Sequence, residues 1–251
     1  MDITQSFYDS LAPQYEKLFQ DWDTEIREQA QFLHRLMAQY GFKKPVRILD
    51  CACGIGTQAI GLAELGYDVT ASDLSSGALA EAQARAARHA VSIRFAQADF
   101  RKLEQVFPGQ FDVVLAMDNA LPHMLTAEDL EAAVGSIAAR VAPGGLFLAS
   151  IRDYDALLET RPPYSPPYIH KTRDGQRVSF QTWHWNGCRY RLVQYILDDG
   201  KTLEASKFEC EYRATARQEL TDLLLAHGYK SVTWKFPEET GFYQPLVIAE
   251  K

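Results

Sequence analysis

Two glycines one residue apart, Gly54-Ile55-Gly56, follow directly on the apolar run VRILDC and open the helical pattern TQAIGLAELG. Without a Cβ, glycine lets a strand turn sharply into a helix and lets a ligand approach the backbone N–H groups of the turn. Gly54, Gly56 and Ala59 fit the G-x-G-x-x-G/A spacing of dinucleotide-binding turns, and an acidic residue, Asp73, closes the next strand. The same spacing also fits a plain strand-to-helix turn with no ligand. Asp50 stands at the strand end just before the glycines. A carboxylate there suits a cationic ligand better than a pyrophosphate, which wants anion-binding N–H groups. The turn therefore reads as a site for a dinucleotide or for a smaller nucleoside carrying positive charge.

Two further residues have side chains suited to a small substrate. Asn119 lies in MDNALPHM, beyond the fourth apolar run, and Arg152 in SIRDYD, beyond the fifth. An arginine can hold a carboxylate by two parallel N–H bonds, while an asparagine and nearby carbonyls can orient an amine lone pair. Arg152 could equally pair with Asp153 or Asp155 at the surface. No carboxylate cluster has metal-ligand spacing, so no metal is expected.

The elements that must position these residues follow from the apolar periods. From Ile3 to Tyr40, Phe7, Leu11, Tyr15, Leu18 and then Ile26, Ala30, Leu33, Met37 recur at three- and four-residue spacing, which predicts two helices ahead of the glycines. A helical segment so placed can fold over a ligand as a lid, and this favours a small enclosed ligand over a dinucleotide. The short runs VRILDC, YDVTASD, VSIRFAQAD, FDVVLAMD and LFLASIRD then alternate with longer helical ones, an order that predicts parallel strands with helices on both faces. Gly66, Gly109 and Gly144-Gly145 stand where helices or loops should stop.

After Asp155, ETRPPYSPPY has four prolines in ten residues and predicts an ordered loop. YIHKT, QRVSFQTWHW, RYRLVQYIL and KTLEASKFECEY follow, divided by Asp174-Gly175, Asn186-Gly187 and Asp199-Gly200, which are tight-hairpin dipeptides; an antiparallel meander is expected. TARQELTDLLLAHG reads as a capped helix closed by Gly228, and YKSVTWKF and YQPLVIAEK as two last strands. The expected organisation is a single α/β domain: a helical lid at 1–44, a ligand-binding core at 45–155, an inserted meander at 156–213, and a final helix with two strands at 214–251.

With a formal charge of −7 and no run of five Lys or Arg, nucleic acid and anionic membrane are disfavoured as partners and a small-molecule substrate is expected. The four cysteines form no Cys-x-x-Cys pair and the first residues lack the layout of a signal peptide, so a reduced, cytoplasmic protein is expected. No apolar stretch reaches the roughly 20 residues a membrane span needs.

Taken in order, VRILDCACGIG, VTASDLS, FAQADF, FDVVLAMDN and VAPGGLFLAS resemble the successive motifs of class I S-adenosylmethionine-dependent methyltransferases, over about Val46 to Asp153. The resemblance implies a Rossmann-like seven-stranded sheet, with S-adenosyl-L-methionine as cofactor and S-adenosyl-L-homocysteine as product. Ala52 stands where the family's commonest form has its first glycine, and Ile55 where a threonine often precedes the last. The implied cofactor residues are Ala52, Gly54 and Gly56 in the turn, Asp73 with Leu74 at the ribose, Asp99 and Phe100 at the adenine, and Met117 and His123 beside the methionine part. For Asp73 the structural alternative is a helix cap before Ser75-Ser76. From the lid, Tyr15 could cover the sulfonium and Arg27 grip the cofactor carboxylate.

DNALPHM, SIRDYD and the meander before the last helix resemble more closely the glycine N-methyltransferase and glycine/sarcosine methyltransferase branch. That implies methylation of a small amine such as a glycine-like amino acid, with Asn119 and Arg152 acting on the substrate and Tyr168 bordering its pocket. No N/D-P-P-Y follows the fourth strand, which argues against methylation of a base or a side-chain amide. Trp183, Trp185, Tyr190 and Tyr195 either pack the meander, cover the pocket or form a contact in a homo-oligomer. Three other readings stand beside this one. They are O-methylation of a small acceptor, an NAD(P)-dependent oxidoreductase using Gly54, Gly56 and Ala59, and a binding module without catalysis.

Overall fold

The computed structural model describes residues 3–251. Helices α1 (Ile3–Leu11) and α2 (Trp22–Gln39) come first, but the chain between them is a 3-10 stretch, Ala12–Leu18. Pro13 near its start lacks an N–H and crowds the preceding turn, so α1 cannot run on through Tyr15. Asp21 then caps α2 by accepting from the Thr24 N–H at 3.2 Å.

Strand β1 (Arg47–Asp50) leads through the glycine turn into α3 (Thr57–Glu64). β2 (Asp68–Asp73), α4 (Ser76–Arg88), β3 (Arg94–Gln97), β4 (Phe111–Ala116), α5 (Ala127–Arg140) and β5 (Val141–Ser150) follow. The first five strands are all parallel, in the spatial order β5-β4-β1-β2-β3. Each central strand buries both of its faces. Val113 and Leu115 of β4 join one core with Ile48 and Leu148, while Val114 joins the other with Leu49 and Phe147. That is why these strands read as continuous apolar runs. VAPGG, read above as a helix end, instead begins β5, with Gly144 at a φ of 75°.

A short helix, α6 (Tyr154–Thr160), straddles the boundary placed at residue 155, because Asp153 caps it through the Ala156 N–H. The proline-rich segment beyond it touches the meander through a bridge between Tyr164 and Thr182. Strands β6 (Tyr168–Lys171), β7 (Gln176–Asn186), β8 (Arg189–Asp199) and β9 (Leu203–Arg213) then form a separate antiparallel sheet in sequence order, turning at the three dipeptides named above. Helix α7 (Arg217–Ala226) begins after Ala216 with no side-chain cap, so Thr215 does not cap it. β10 (Ser231–Lys235), α8 (Pro237–Thr240) and β11 (Leu246–Glu250) complete the chain. β11 inserts antiparallel between β10 and β5, giving a seven-stranded sheet in the order β10-β11-β5-β4-β1-β2-β3. Among the described residues no helix is long and apolar enough to cross a membrane.

The lid is tied to the meander at its far end. Lys17 donates to Asp198 at 2.6 Å, and the Gln20 side chain exchanges two hydrogen bonds with the Lys171 backbone at 3.2 Å. These links hold the 3-10 stretch, and Tyr15 within it, across the C-terminal ends of β1, β2 and β4.

Candidate active site

A cavity opens at those strand ends, where strand order reverses between β1 and β4 and ligands of open α/β sheets bind. Its floor is the glycine turn. Gly54 and Gly56 hold φ of 53° and 95°, which side chains rarely adopt. A Cβ on Gly54 would meet nothing within 4 Å, whereas one on Gly56 would come within 2.8 Å of Ile60 Cδ1. Gly54 therefore faces the open space, and Gly56 serves the turn itself without lining the cavity.

Asp73 ties this floor to the next strand. Its Oδ2 accepts from the Gly54 N–H at 2.8 Å and its Oδ1 from the Ser75 N–H at 2.9 Å. The cap of α4 is Ser75, whose Oγ accepts from the Ala78 N–H at 2.9 Å, so Asp73 keeps its carboxylate toward the cavity. Burial raises the pKa of that carboxyl. Asp50 lies beneath the turn and not on the cavity wall; burial pushes its carboxyl up to about 8. The carboxylates on the wall itself are Asp73, Asp99, Asp118, Asp129 and Glu211.

The structure gathers most of the residues picked out by sequence. Tyr15, Ala52, Gly54, Asp73, Leu74, Asp99, Phe100, Met117 and His123 all line the one cavity. Burial would raise the Asp99 pKa, but hydrogen bonds from Arg101 hold it below the usual carboxylate range. The His123 Nε2 lies 3.0 Å from the Tyr8 hydroxyl, and its ring packs 4.2 Å from the Tyr212 ring.

Two positions fall elsewhere. Arg27 faces outward and pairs with Glu64 at 3.8 Å, because α2 turns Ile26, Ala30 and Leu33 inward and leaves position 27 on the solvent side. Tyr168 is 64 % exposed on β6, the edge strand farthest from β9, and does not line this cavity. Neither residue lines the cavity.

Asn119 and Arg152 sit just behind the wall. The Asn119 Oδ1 accepts from the Arg152 N–H at 3.1 Å and from the Tyr154 hydroxyl at 3.0 Å, and its Nδ2 is buried without a partner among the described residues. Arg152 donates to the Tyr190 hydroxyl at 2.7 Å and to Gln181 Oε1 at 2.8 Å. Its guanidinium lies between the Trp183 and Tyr212 rings, 4.9 Å and 5.5 Å from their centres. Asp153 and Asp155 both pair with Arg217 instead. Among the described residues no carboxylate pairs with Arg152.

Sequence reasoning missed Asp118. It lines the cavity from the end of β4, accepting from Tyr243 at 2.5 Å and from Gln58 at 2.9 Å. The aromatic surround of Arg152 was only half visible, since register between β7 and β8 decides which rings meet it. Its inward alternation, Tyr190, Leu192, Gln194 and Ile196, was there to be read. Among the described residues no cluster of His, Cys, Asp and Glu could hold a metal ion.

Residues 48–145 match the family described as a methyltransferase domain. A glycine/sarcosine N-methyltransferase from Halorhodospira halochloris is 26% identical over 214 residues, 85% of this chain and 77% of that protein. One from Parasynechococcus marenigrum is 30% identical over 155 residues, which is 62% of this chain but only 54% of the relative. The structure of an S-adenosylmethionine-dependent methyltransferase from Clostridium acetobutylicum superposes with a TM-score of 0.74 at 17% identity, covering 97% of both chains. Strand order, glycine turn and superposition give this chain the fold of the class I S-adenosylmethionine-dependent methyltransferases, and its residues 48–145 match the methyltransferase domain. Within that class it resembles the glycine/sarcosine N-methyltransferases. The wall fits this cofactor: Gly54 leaves open space for it and acidic side chains face its positive charge.

Proposed function

We propose that the protein N-methylates a small amine that also carries a carboxylate, a glycine-like amino acid. The observation that carries this reading is Arg152, a guanidinium held among neutral partners next to the cofactor cavity. A charge in such surroundings gains from an anion, and a guanidinium receives a carboxylate through two parallel bonds. Asn119, fixed by Tyr154 and the Arg152 backbone, then orients the acceptor nitrogen. The names of the relatives point the same way.

When bound, S-adenosylmethionine supplies an electrophilic methyl group on a sulfonium. The chain's task is alignment, because a neutral amine attacks in line and little acid–base chemistry is required. On this reading Asp73 clasps the ribose, Asp99 and Phe100 meet the adenine, and Met117 and His123 flank the methionine part. Tyr15 lies over the reacting centre. With labelled cofactor, glycine and sarcosine should accept methyl groups while glycinamide, which lacks the carboxylate, should not. Equal turnover of glycinamide would overturn the reading.

A further inference from the structure

Asp118 and Asn119 both adopt left-handed backbone, with φ of 56° and 68°. Two such residues in succession are costly for any side chain, although Asp and Asn bear it best. The strand end is pinned in this shape from β5: the Asp118 N–H donates to Ser150 Oγ at 2.8 Å and the Asn119 N–H to Ser150 O at 2.9 Å. Ser150 in turn donates to Gln244 Oε1 at 2.9 Å. The turn sends the two side chains in different directions. Asn119 reaches Arg152 and Tyr154, while Asp118 reaches Gln58 in the first turn of α3, beside the glycine turn.

The Asp118 carboxylate is held by neutral donors, Tyr243 and Gln58, and Gln58 is fixed by a second bond to Gln29 at 2.6 Å. Among the described residues no Lys or Arg pairs with it. Glu25 adds negative charge nearby, and Arg27, the cation expected at this end, faces away. A half-buried carboxylate that faces a cavity with neutral partners only has room to gain from a cation.

Resting on the assignment of S-adenosylmethionine as cofactor, we propose that Asp118 holds the ammonium group of the cofactor's amino-acid tail at the crevice between β1 and β4. Two considerations separate this from binding of the acceptor. Asp118 lines the cavity and reaches Gln58 beside the glycine turn through one oxygen and Tyr243 through the other, whereas Asn119 turns behind the wall to Arg152 and Tyr154. An acceptor amine must also be neutral to attack, and a carboxylate beside it would keep it protonated.

The test is calorimetry on the wild type and Asp118→Asn with two ligands, S-adenosylhomocysteine and methylthioadenosine. The second carries the same nucleoside thioether but no amino-acid tail. Losing one charged hydrogen bond should weaken S-adenosylhomocysteine about tenfold or more, and leave methylthioadenosine within about twofold. Asparagine keeps the left-handed backbone, and Asp118→Gly, which suits it equally, should give the same pattern. Equal weakening of both ligands, or no weakening of either alongside a raised acceptor KM, would overturn the proposal. Failure of both ligands to bind the wild type would instead sink the cofactor assignment beneath it.

Discussion

The guanidinium of Arg152 donates to the hydroxyl of Tyr190 at 2.7 Å, joining the end of the parallel sheet to the inserted meander. The same phenol lies 3.0 Å from the Tyr154 hydroxyl, which donates to Asn119. One hydrogen-bonded chain thus runs from the meander through both residues proposed to meet the acceptor. The meander therefore fixes where the guanidinium points, as well as covering the cavity.

Lysine in place of Arg152 keeps the charge but loses the planar fork. For Arg152→Lys the KM for a carboxylate-bearing acceptor should rise about tenfold or more, with the affinity for S-adenosylhomocysteine changed by less than about twofold. Tyr190→Phe removes the hydroxyl that accepts from the guanidinium and meets Tyr154 but leaves the charged fork of Arg152 in place, and should raise the same KM by a smaller factor, about three- to tenfold. Steady-state kinetics beside calorimetry separates the two parameters. An unchanged acceptor KM in Arg152→Lys defeats the carboxylate grip.

Asp73 carries two loads, fixing the Gly54 and Ser75 N–H groups and facing the cavity. If it also accepts from both ribose hydroxyls, Asp73→Ala loses two charged hydrogen bonds, each worth about 1.5–3 kcal/mol. The expected result is S-adenosylhomocysteine binding weaker by about a hundredfold or more, with a lower melting temperature from the freed turn. Calorimetry on Asp73→Asn should show a milder loss, since an amide oxygen can still accept. Undiminished affinity in the alanine variant contradicts the ribose role.

Much of this is legible in the sequence. The parallel core follows from apolar runs alternating with helical ones, and the meander from Asp174-Gly175, Asn186-Gly187 and Asp199-Gly200, where the chain does turn. Asp73 could be found because it closes the strand next to the glycine turn. The outward placement of Arg27 is legible too: Ile26, Ala30 and Leu33 set the inward face of α2, and position 27 lies about 100° round from it. Asp118 is different in kind. No period marks a single residue at a strand end, and its aim depends on a left-handed φ held by Ser150, far away in sequence. The one clue was its type, since Asp followed by Asn is the pair of side chains that tolerates such a backbone.

Burial pushes the Asp50 carboxyl up to about 8, where an unfolded aspartate titrates near about 3.9. Between those values the folded chain keeps a proton that the unfolded chain has released. The stability from this group is therefore full below the lower value and is lost as pH rises through the upper one, with a slope of at most about 1.4 kcal/mol per pH unit. Asp50→Asn cannot ionise and should flatten that alkaline decline. Urea unfolding midpoints at about pH 6 and about pH 9 for both proteins check it. Parallel declines in the two proteins assign the loss to other groups.

Gly61 lies in α3 where α2 crosses it. A Cβ there would stand 2.3 Å from the Ile26 carbonyl oxygen and 2.7 Å from the Ala30 Cβ. A backbone oxygen cannot swing aside as a side chain can, so Gly61→Ala must push the two helices apart. Forced overpacking of this kind costs about 1–3 kcal/mol, more than the fraction of a kcal/mol that alanine gains over glycine within a helix. The displacement reaches the site, because α2 supplies Trp22, which donates to Thr57 at 3.3 Å, and Gln29, which holds Gln58. Gly61→Ala should thus unfold at lower urea and also bind S-adenosylhomocysteine more weakly. Gly109→Ala is the matched control: its Cβ would meet nothing within 4 Å and its φ is not positive, so stability should stay within about 0.5 kcal/mol of the wild type. If the two variants unfold at the same urea concentration, the close approach of α2 to α3 does not contribute to stability in the way the contact distances require.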